Sequence, residues 1–370
     1  MKHSSARLDF LRSLFSRPAW AGILIGAALL ALVPVLNLSF APGHPLHVSS
    51  YSVALIGKFM CYAMAALALD LVWGYTGILS LGHGLFFALG GYAHGMYLMR
   101  AIGRDGVYQS NLPDFMVFLD WKAYPWYWSF TEHFWYSMAL VVLVPGLLAF
   151  VFGFFAFRSR IKGVYFSIIT QAMTFAFMLL FFRNNTGFGG NNGFTDFKRI
   201  LGYGITAPTT KAALYLITLA CLVGAVVLCR WIVTSKLGRV LQAVRDSESR
   251  LMFIGYNPLW FKLFVWTLSA ILCGIAGALY VPQVGIINPS EMSPGNSIEM
   301  VIWAAVGGRG TLLGPILGAF SVNGLKSWFT AAFPDLWLYA LGAIFIGVTL
   351  FMPQGLLGLA GQLRKNKEAA

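Results

Sequence analysis

Ten apolar runs divide the chain, at about residues 19–38, 51–73, 84–99, 137–157, 164–182, 212–233, 259–281, 295–307, 312–332 and 337–353. A helix needs on the order of 20 apolar residues to cross hydrocarbon, and most of these runs approach that length. The runs at 84–99 and 295–307 are short and glycine-flanked, so they read as broken or half-spanning elements, and the expected number of spans is about eight to ten. One polar stretch interrupts the pattern. Residues Leu237 to Pro258 read LGRVLQAVRDSESRLMFIGYNP, with apolar tracts immediately before and after. Within it Leu237, Val240, Leu241, Val244, Leu251 and Ile254 recur at helical spacing, while Arg239, Gln242, Arg245, Asp246, Ser249 and Arg250 take the opposite face. That pattern predicts one amphipathic helix. Asp246 lies four residues before Arg250, the favourable order for a helical ion pair. Gly255 supplies a stop and Asn257-Pro258 a turn before the next span. Such a helix either lies on lipid headgroups or seats in a partner's cleft. Mixed charge and the tight Gly-x-x-Pro exit suit the cleft, but the residues by themselves leave the two uses nearly even.

Composition sets the class. Of 370 residues, 58% are hydrophobic and 11% charged, against about 25% charged in soluble domains. This is an all-α polytopic membrane bundle, and no polar region is large enough for a soluble catalytic domain. The expected division is a cytoplasmic N-terminus at 1–18, a membrane domain at 19–358 and a cytoplasmic tail at 359–370. The first apolar run follows Lys2, Arg7, Arg12 and Arg17, as in a signal peptide. It exceeds the ~7–15 residues of a signal h-region, so an uncleaved first helix is expected. Cys61, Cys221, Cys229 and Cys273 all sit in apolar runs without a CxxC pair. They read as small apolar fillers rather than a metal or disulfide site.

Charge then orients the bundle. With the N-terminus inside, 17 of 26 basic residues fall on the inner side and eight of 13 acids on the outer. Cytoplasmic loops attract Lys and Arg, so both termini and 237–258 are expected to be cytoplasmic. The net charge of +13 is spread over short loops. Topology and anionic headgroups account for it without nucleic acid.

Four stretches resemble a known family. GRVLQAVRDSESRLMFIGYNPLWFKLFVWTLSAILCGIAGALY, GYTGILSLGHGLFFALGGY (74–92), RSRIKGVYFSIITQAMTFAF (158–177) and WAAVGGRGTLLGPILGAF (303–320) are similar to permeases of branched-chain amino-acid-type ABC importers. The resemblance runs from about residue 50 to 358. FFRNNTGFGGNNGFTDFK (181–198) and YVPQVGIINPSEMSPGNSIEMVIWAAVGGRG (280–310) look most like the urea-permease branch. The resemblance implies a second homologous permease, two cytoplasmic ATPases and a periplasmic substrate-binding protein in a bacterial inner membrane. It also implies that Arg239, Ala243, Arg245, Asp246, Ser247, Glu248, Arg250 and Gly255 carry the ATPase contact. The chain has no G-x-x-x-x-G-K-[ST] loop, so any ATP is bound by partner subunits and no cofactor is expected here.

Polar and glycine-rich features at membrane depth are the candidates for the solute path, because irregular backbone there must be buried or line a cavity. Residues 77–84, with Ser80, Gly82, His83 and Gly84, open the third run; Pro289 to Gly295 open the eighth. Each leads to an apolar stretch ending in a glycine pair, Gly90-Gly91 or Gly307-Gly308, with Gly310 just beyond. That is the pattern of an inverted repeat with broken helices. Thr170, Gln171 and Thr174 lie mid-span, and Glu299 and Trp303 are one turn apart. A neutral amide lining suits urea, while interhelical bonding is the alternative use of such residues. Glu299 is either functional or a helix-start carboxylate. His83 reads as structural first and pore-lining second. Lys58 and Lys326 read as snorkelling outward and Asp70 as lying near the inner surface. Trp121, Trp126, Tyr127 and Trp128 read as interfacial anchors, and NNTGFGGNN (184–192) as tight turns with positive φ. The leading expectation is a urea importer permease; the alternatives are an amino-acid permease of the same kind and a passive urea or amide channel. No paired acids, or His with an acid, stand together for an intramembrane enzyme, so no catalytic or metal-binding residue is expected.

Overall fold

Lipid offers backbone groups no hydrogen bonds, so apolar runs fold as helices that satisfy their own. The computed structural model describes residues 14–351 and 355–358. Its helices are α1 (Arg17–Ser39), α2 (Ser50–Thr76), α3 (His83–Ile102), α4 (Asp114–Phe118), α5 (Phe134–Arg158), α6 (Val164–Phe182), α7 (Pro208–Thr234), α8 (Lys236–Phe253), α9 (Pro258–Val284), α10 (Pro294–Gly307), α11 (Leu313–Ala332) and α12 (Trp337–Phe351). Two small antiparallel ladders join them, β1 (Phe194–Thr195) with β4 (Ile286–Ile287) and β2 (Arg199–Ile200) with β3 (Tyr203–Gly204). The helical class is as expected; the two ladders are additions that two-residue strands give no periodicity to foretell. Lys2, Arg7, Arg12 and the tail 359–370 lie outside the described residues.

Among the described residues, six helices are long and apolar enough to cross a membrane: α1 from Pro18, α2, α5, α6, α7 and α9. The short apolar run at 84–99 is a full 20-residue helix, α3, with every residue from His83 to Met99 buried. A helix enclosed by protein presents no face to lipid, so it tolerates His83, His94 and four glycines. By contrast α10 has 14 residues, about 21 Å at ~1.5 Å per residue, well short of a ~30 Å hydrocarbon layer.

α3 sits against α9 at near-backbone contact. A Cβ added to Gly277 would lie 1.8 Å from the Phe87 carbonyl oxygen, and one at Gly90 would lie 2.0 Å from that of Gly274. Small residues let helix axes approach in this way. Gly90-Gly91 therefore does not end an element as expected: its packing on α9 carries α3 through to Ile102, whereas α10 does stop at Gly307. Trp266 of α9 fills the adjoining core, ringed by Phe86, Phe157 and Phe166, and its indole N–H donates to the Ala149 carbonyl at 2.8 Å. α1 is peripheral, tied to α7 by the Tyr215 hydroxyl donating to the Leu30 carbonyl, and leaves Leu24, Ile25 and Leu29 exposed.

The segment after α3 folds over one end of the bundle as a cap whose buried residues, Met116 and Trp128 among them, continue the main core. Trp126 is 84% exposed, as an interfacial anchor would be, but Trp128 is fully buried against Phe194. Tyr127 donates to the Thr186 carbonyl at 2.5 Å. These two aromatics pack the cap rather than anchor it. Positive φ occurs at Gly187, Gly189 and Gly190 as expected. The four cysteines are free, three of them buried.

Candidate functional site

α8 leaves α7 with only Ser235 between them, and the Ser235 side chain caps it by accepting from the Gly238 N–H. Leu241, Val244 and Leu251 are buried. The helix is not continuous: Ser247 has φ −162° and ψ 89°. Serine and aspartate compete with helical backbone bonds, and here Asp-Ser-Glu-Ser lets the chain turn. Two expectations change as a result. Asp246 pairs with Arg245 at 2.9 Å rather than with Arg250, because the break destroys the four-residue spacing. Ile254 does not extend the buried face but is 71% exposed, beside Phe253 at 89% and Met252 at 43%. Gly255, with φ +88°, ends this apolar tip. Asn257 then does more than turn the chain: its side chain accepts from the Leu259 N–H at 3.1 Å, with Pro258 in the first position of α9.

The break also turns Glu248 inward. Its carboxylate accepts from Lys162, in the α5–α6 connection, and from Lys262 of α9, each at 2.7 Å. Sequence reasoning placed Glu248 at a partner surface; it is an internal strut, because Lys262 is 5% exposed and needs a counter-charge. Burial alone would raise the Glu248 carboxyl pKa, but the two lysine hydrogen bonds outweigh it and hold the group below the usual range. A depressed folded pKa gives stability that is complete above the ordinary glutamate range and is lost as pH falls through the folded value. Glu248→Gln is expected to destabilise the solubilised subunit by about 2 kcal/mol. That is under the ~3–5 kcal/mol of a fully buried pair, because the Lys162 side chain is 55% exposed. Adding Lys262→Met should restore most of the loss, and thermal aggregation midpoints check both.

Arg239, Ser249 and Arg250 stay exposed, and Ala243 and Ser247 are half-buried. Arg245 faces both ways. Its Nε holds Asp246 while Nη1 donates to the Gly74 carbonyl at 2.9 Å. One residue earlier, the Trp73 carbonyl accepts from Arg309 Nη2 at 2.9 Å, and the Arg309 guanidinium lies 4.6 Å over the Trp73 ring. Two arginines thus meet the carbonyl end of α2, where the helix dipole favours cations. Asp70, read from the sequence only as lying near the inner surface, accepts from the Gly310 N–H at 2.7 Å and the Leu312 N–H at 3.2 Å. Tyr75 donates to the Gly310 carbonyl. The loop 308–312 between α10 and α11 is therefore bolted to α2. Gly308 and Gly310 have φ of +122° and +75° there, a conformation that L side chains rarely adopt. Gly307 meets the Gly314 carbonyl too closely for a Cβ.

The other predicted polar residues are engaged inside the chain. Ser167 donates to the Leu79 carbonyl, and Thr170 accepts from the Leu81 N–H at 3.1 Å, so α6 holds the loop 77–82. Gly82 packs on Thr170 at a distance a side chain would strain. Ser269 donates to the Ala68 carbonyl and so accepts from His83 Nε2 at 2.7 Å; Nδ1 then accepts from Ser80 at 3.2 Å. His83 is a fully buried neutral tie between α3 and α9. The Gly84 N–H donates to Ser297 of α10 at 3.2 Å, so the two glycine-rich openings do meet. Thr174 bonds back to its own helix, Gln171 is half-buried, and Trp303 packs against Tyr62, tilted, with ring centres 4.9 Å apart. Glu299 accepts two bonds from Lys326, at 2.7 and 2.9 Å. Those two residues were read separately; no sequence spacing links α10 to α11 at that point.

Nothing in this arrangement is catalytic, and among the described residues no group of acids, histidines or cysteines could hold a metal ion. Apolar helices carry a structured polar helix whose inner face grips the ends of spanning helices and whose outer face and tip are left open. These features define a multi-pass membrane transport subunit. The chain belongs to the family of branched-chain amino acid transport system permease components, whose model matches residues 51–349. It is 25% identical over 342 residues to the high-affinity branched-chain amino acid transport system permease protein LivM of Salmonella typhimurium strain LT2, covering 86% of this chain and 73% of that protein. It is 24% identical over 363 residues to LivM of Escherichia coli strain K12, covering 92% and 77%. A shorter similarity, 26% over 142 residues, covers 36% of the chain and 40% of the autoinducer 2 import system permease protein LsrC of Yersinia pestis strain Pestoides F. No solved structure matches the chain. As a bacterial ABC-importer permease the chain is a transport subunit, not an enzyme.

Proposed function

We propose that the chain is one of two homologous membrane subunits of an ATP-driven, binding-protein-dependent importer of a branched-chain or related amino acid. The named relatives support an amino-acid solute over the urea expectation, since both LivM proteins span most of the chain. α8 takes the cytoplasmic side, as the distribution of basic residues favours, with both termini inside. Two ATPases bind ATP and seat the tip at Met252–Ile254 with Arg239, Asp246 and Arg250 around it. A periplasmic binding protein delivers solute to the opposite end. The openings 77–84 and 289–295 act as facing halves of an inverted repeat, joined at Gly84 and Ser297.

One observation carries the coupling: Arg245 holds the Gly74 carbonyl while Arg239, Asp246 and Arg250 of α8 stay exposed. A tilt of α8 therefore pulls on the end of α2 and on the loop 77–82. A second reading, urea as solute, rests on the resemblance of 181–198 and 280–310 to urea permeases. Radiolabelled leucine and urea uptake into vesicles carrying the complete complex, with ATP inside, tests both. Leucine accumulation without urea is the expected result. Urea alone would move the solute to the second reading, and accumulation of either without ATP would overturn the importer.

A further inference from the structure

Two ion pairs could form around the start of α10, and only one is closed. Glu299 and Lys326 complete theirs. Lys58 of α2 and Glu291, in the turn before α10, both flank Tyr280, one beside its ring and the other at its hydroxyl. Yet neither carries an ion pair among the described residues. Lys58 instead holds its ammonium 5.5 Å from the ring centre of Tyr62 and 6.0 Å from that of Tyr280. These rings lie 5.7 Å apart. Glu291 accepts from the Tyr280 hydroxyl at 3.0 Å and from the Asn296 amide at 3.4 Å. Trp303 packs against Tyr62, with a buried indole N–H that has no partner among the described residues. Lys58, Tyr62, Glu291 and Asn296 are all half-buried.

Charges of opposite sign in a low-dielectric setting gain much by meeting. Holding them apart leaves each partly desolvated without its counter-charge, which is costly. A small molecule with an oxygen acceptor at one end and N–H donors at the other would satisfy both. We infer that Lys58 and Glu291, over the Tyr62–Tyr280 pair, form a solute-contact site on the outer side of the chain. The oxygen end rests on the Lys58 ammonium and the N–H end on the Glu291 carboxylate. An α-amino acid offers its carboxylate and ammonium, and urea its carbonyl and amides; the chemistry is shared. The assignment rests on the transport reading above.

The test uses the complete complex in proteoliposomes with ATP inside and saturating binding protein, supplied with leucine or urea in separate arms. Lys58→Met and Glu291→Gln are expected to lower solute moved per ATP hydrolysed at least tenfold. Stimulation of ATP hydrolysis by the loaded binding protein should stay within twofold. Lys58→Arg should keep at least half of the ratio, and Lys122→Met, on the exposed cap, all of it. The arm that responds identifies the solute. Unchanged uptake per ATP in both variants, or loss in Lys58→Arg equal to that in Lys58→Met, would overturn the site while leaving the importer intact. A wild-type complex that accumulates neither solute would overturn the importer, and the site with it.

Discussion

A Gly277→Val subunit is expected to be absent from the membrane as folded protein. The first atom added at Gly277 would meet the Phe87 carbonyl oxygen at 1.8 Å and the Gly91 nitrogen at 3.1 Å. Both are backbone atoms in the middle of α3, so no side-chain rotation relieves the clash. α3 and α9 would have to separate along their whole contact, which includes Gly90 against Gly274. Overpacking a core commonly costs ~1–3 kcal/mol; here the loss should exceed that, because rigid helices part rather than side chains shifting. Gly224→Val is the matched control, since nothing lies within 4 Å of a Cβ there. Size-exclusion profiles of detergent-solubilised, fluorescently tagged subunits distinguish the two. Equal monodisperse yields would refute the account of the α3–α9 contact.

Arg245→Met is expected to separate ATP hydrolysis from uptake. Methionine keeps the apolar stem beside Gly77, which the arginine Cγ approaches at 3.1 Å of a virtual Cβ, but removes the bond to the Gly74 carbonyl. The ATPases would still close on the exposed tip of α8, which the substitution leaves untouched. What is lost is the pull on α2 and, through it, on the loop that Asp70 and Arg309 fasten to the same helix end. Uptake should fall at least tenfold while ATP turnover persists at half or more of its normal rate. Loss of both activities together would mean that Arg245 contacts the ATPase directly. Retention of both would remove it from the coupling.

The membrane class and most helix positions were legible because apolar runs of spanning length have few other folds open to them. The docking segment was legible for the same reason in reverse, a polar period among apolar ones. Its break at Ser247 was not, since Asp-Ser-Glu-Ser permits a turn without requiring one, and the partners that Glu248 meets beyond it, Lys162 and Lys262, lie 86 and 14 residues from Glu248 in the chain. Tertiary partners likewise hid the site. Asp70 capping the loop 308–312, and Glu299 with Lys326, involve residues that sequence alone shows only as isolated charges at membrane depth. Such charges do signal that a partner must exist, but not which one. The same holds for Ser80, His83 and Thr170, whose polarity marked them out and whose bonds tie helices together. The signal that was missed is the run Leu251–Ile254: four apolar residues in succession cannot all face inward on one helix, so part of the run had to be exposed.

The enclosure of α3 also bears on how the protein is made. A helix carrying two histidines and four glycines gains little from entering lipid by itself, and its main partner, α9, ends about 180 residues later. At ~5–20 residues per second of synthesis, α3 waits roughly 10–35 s for the surface that stabilises it. Over that interval the nascent chain depends on the insertion machinery, or on α5, which also packs on α3, to shelter a segment that cannot yet hold its own place. Final assembly of the bundle is therefore tied to completion of α9 rather than to the order in which the spans emerge.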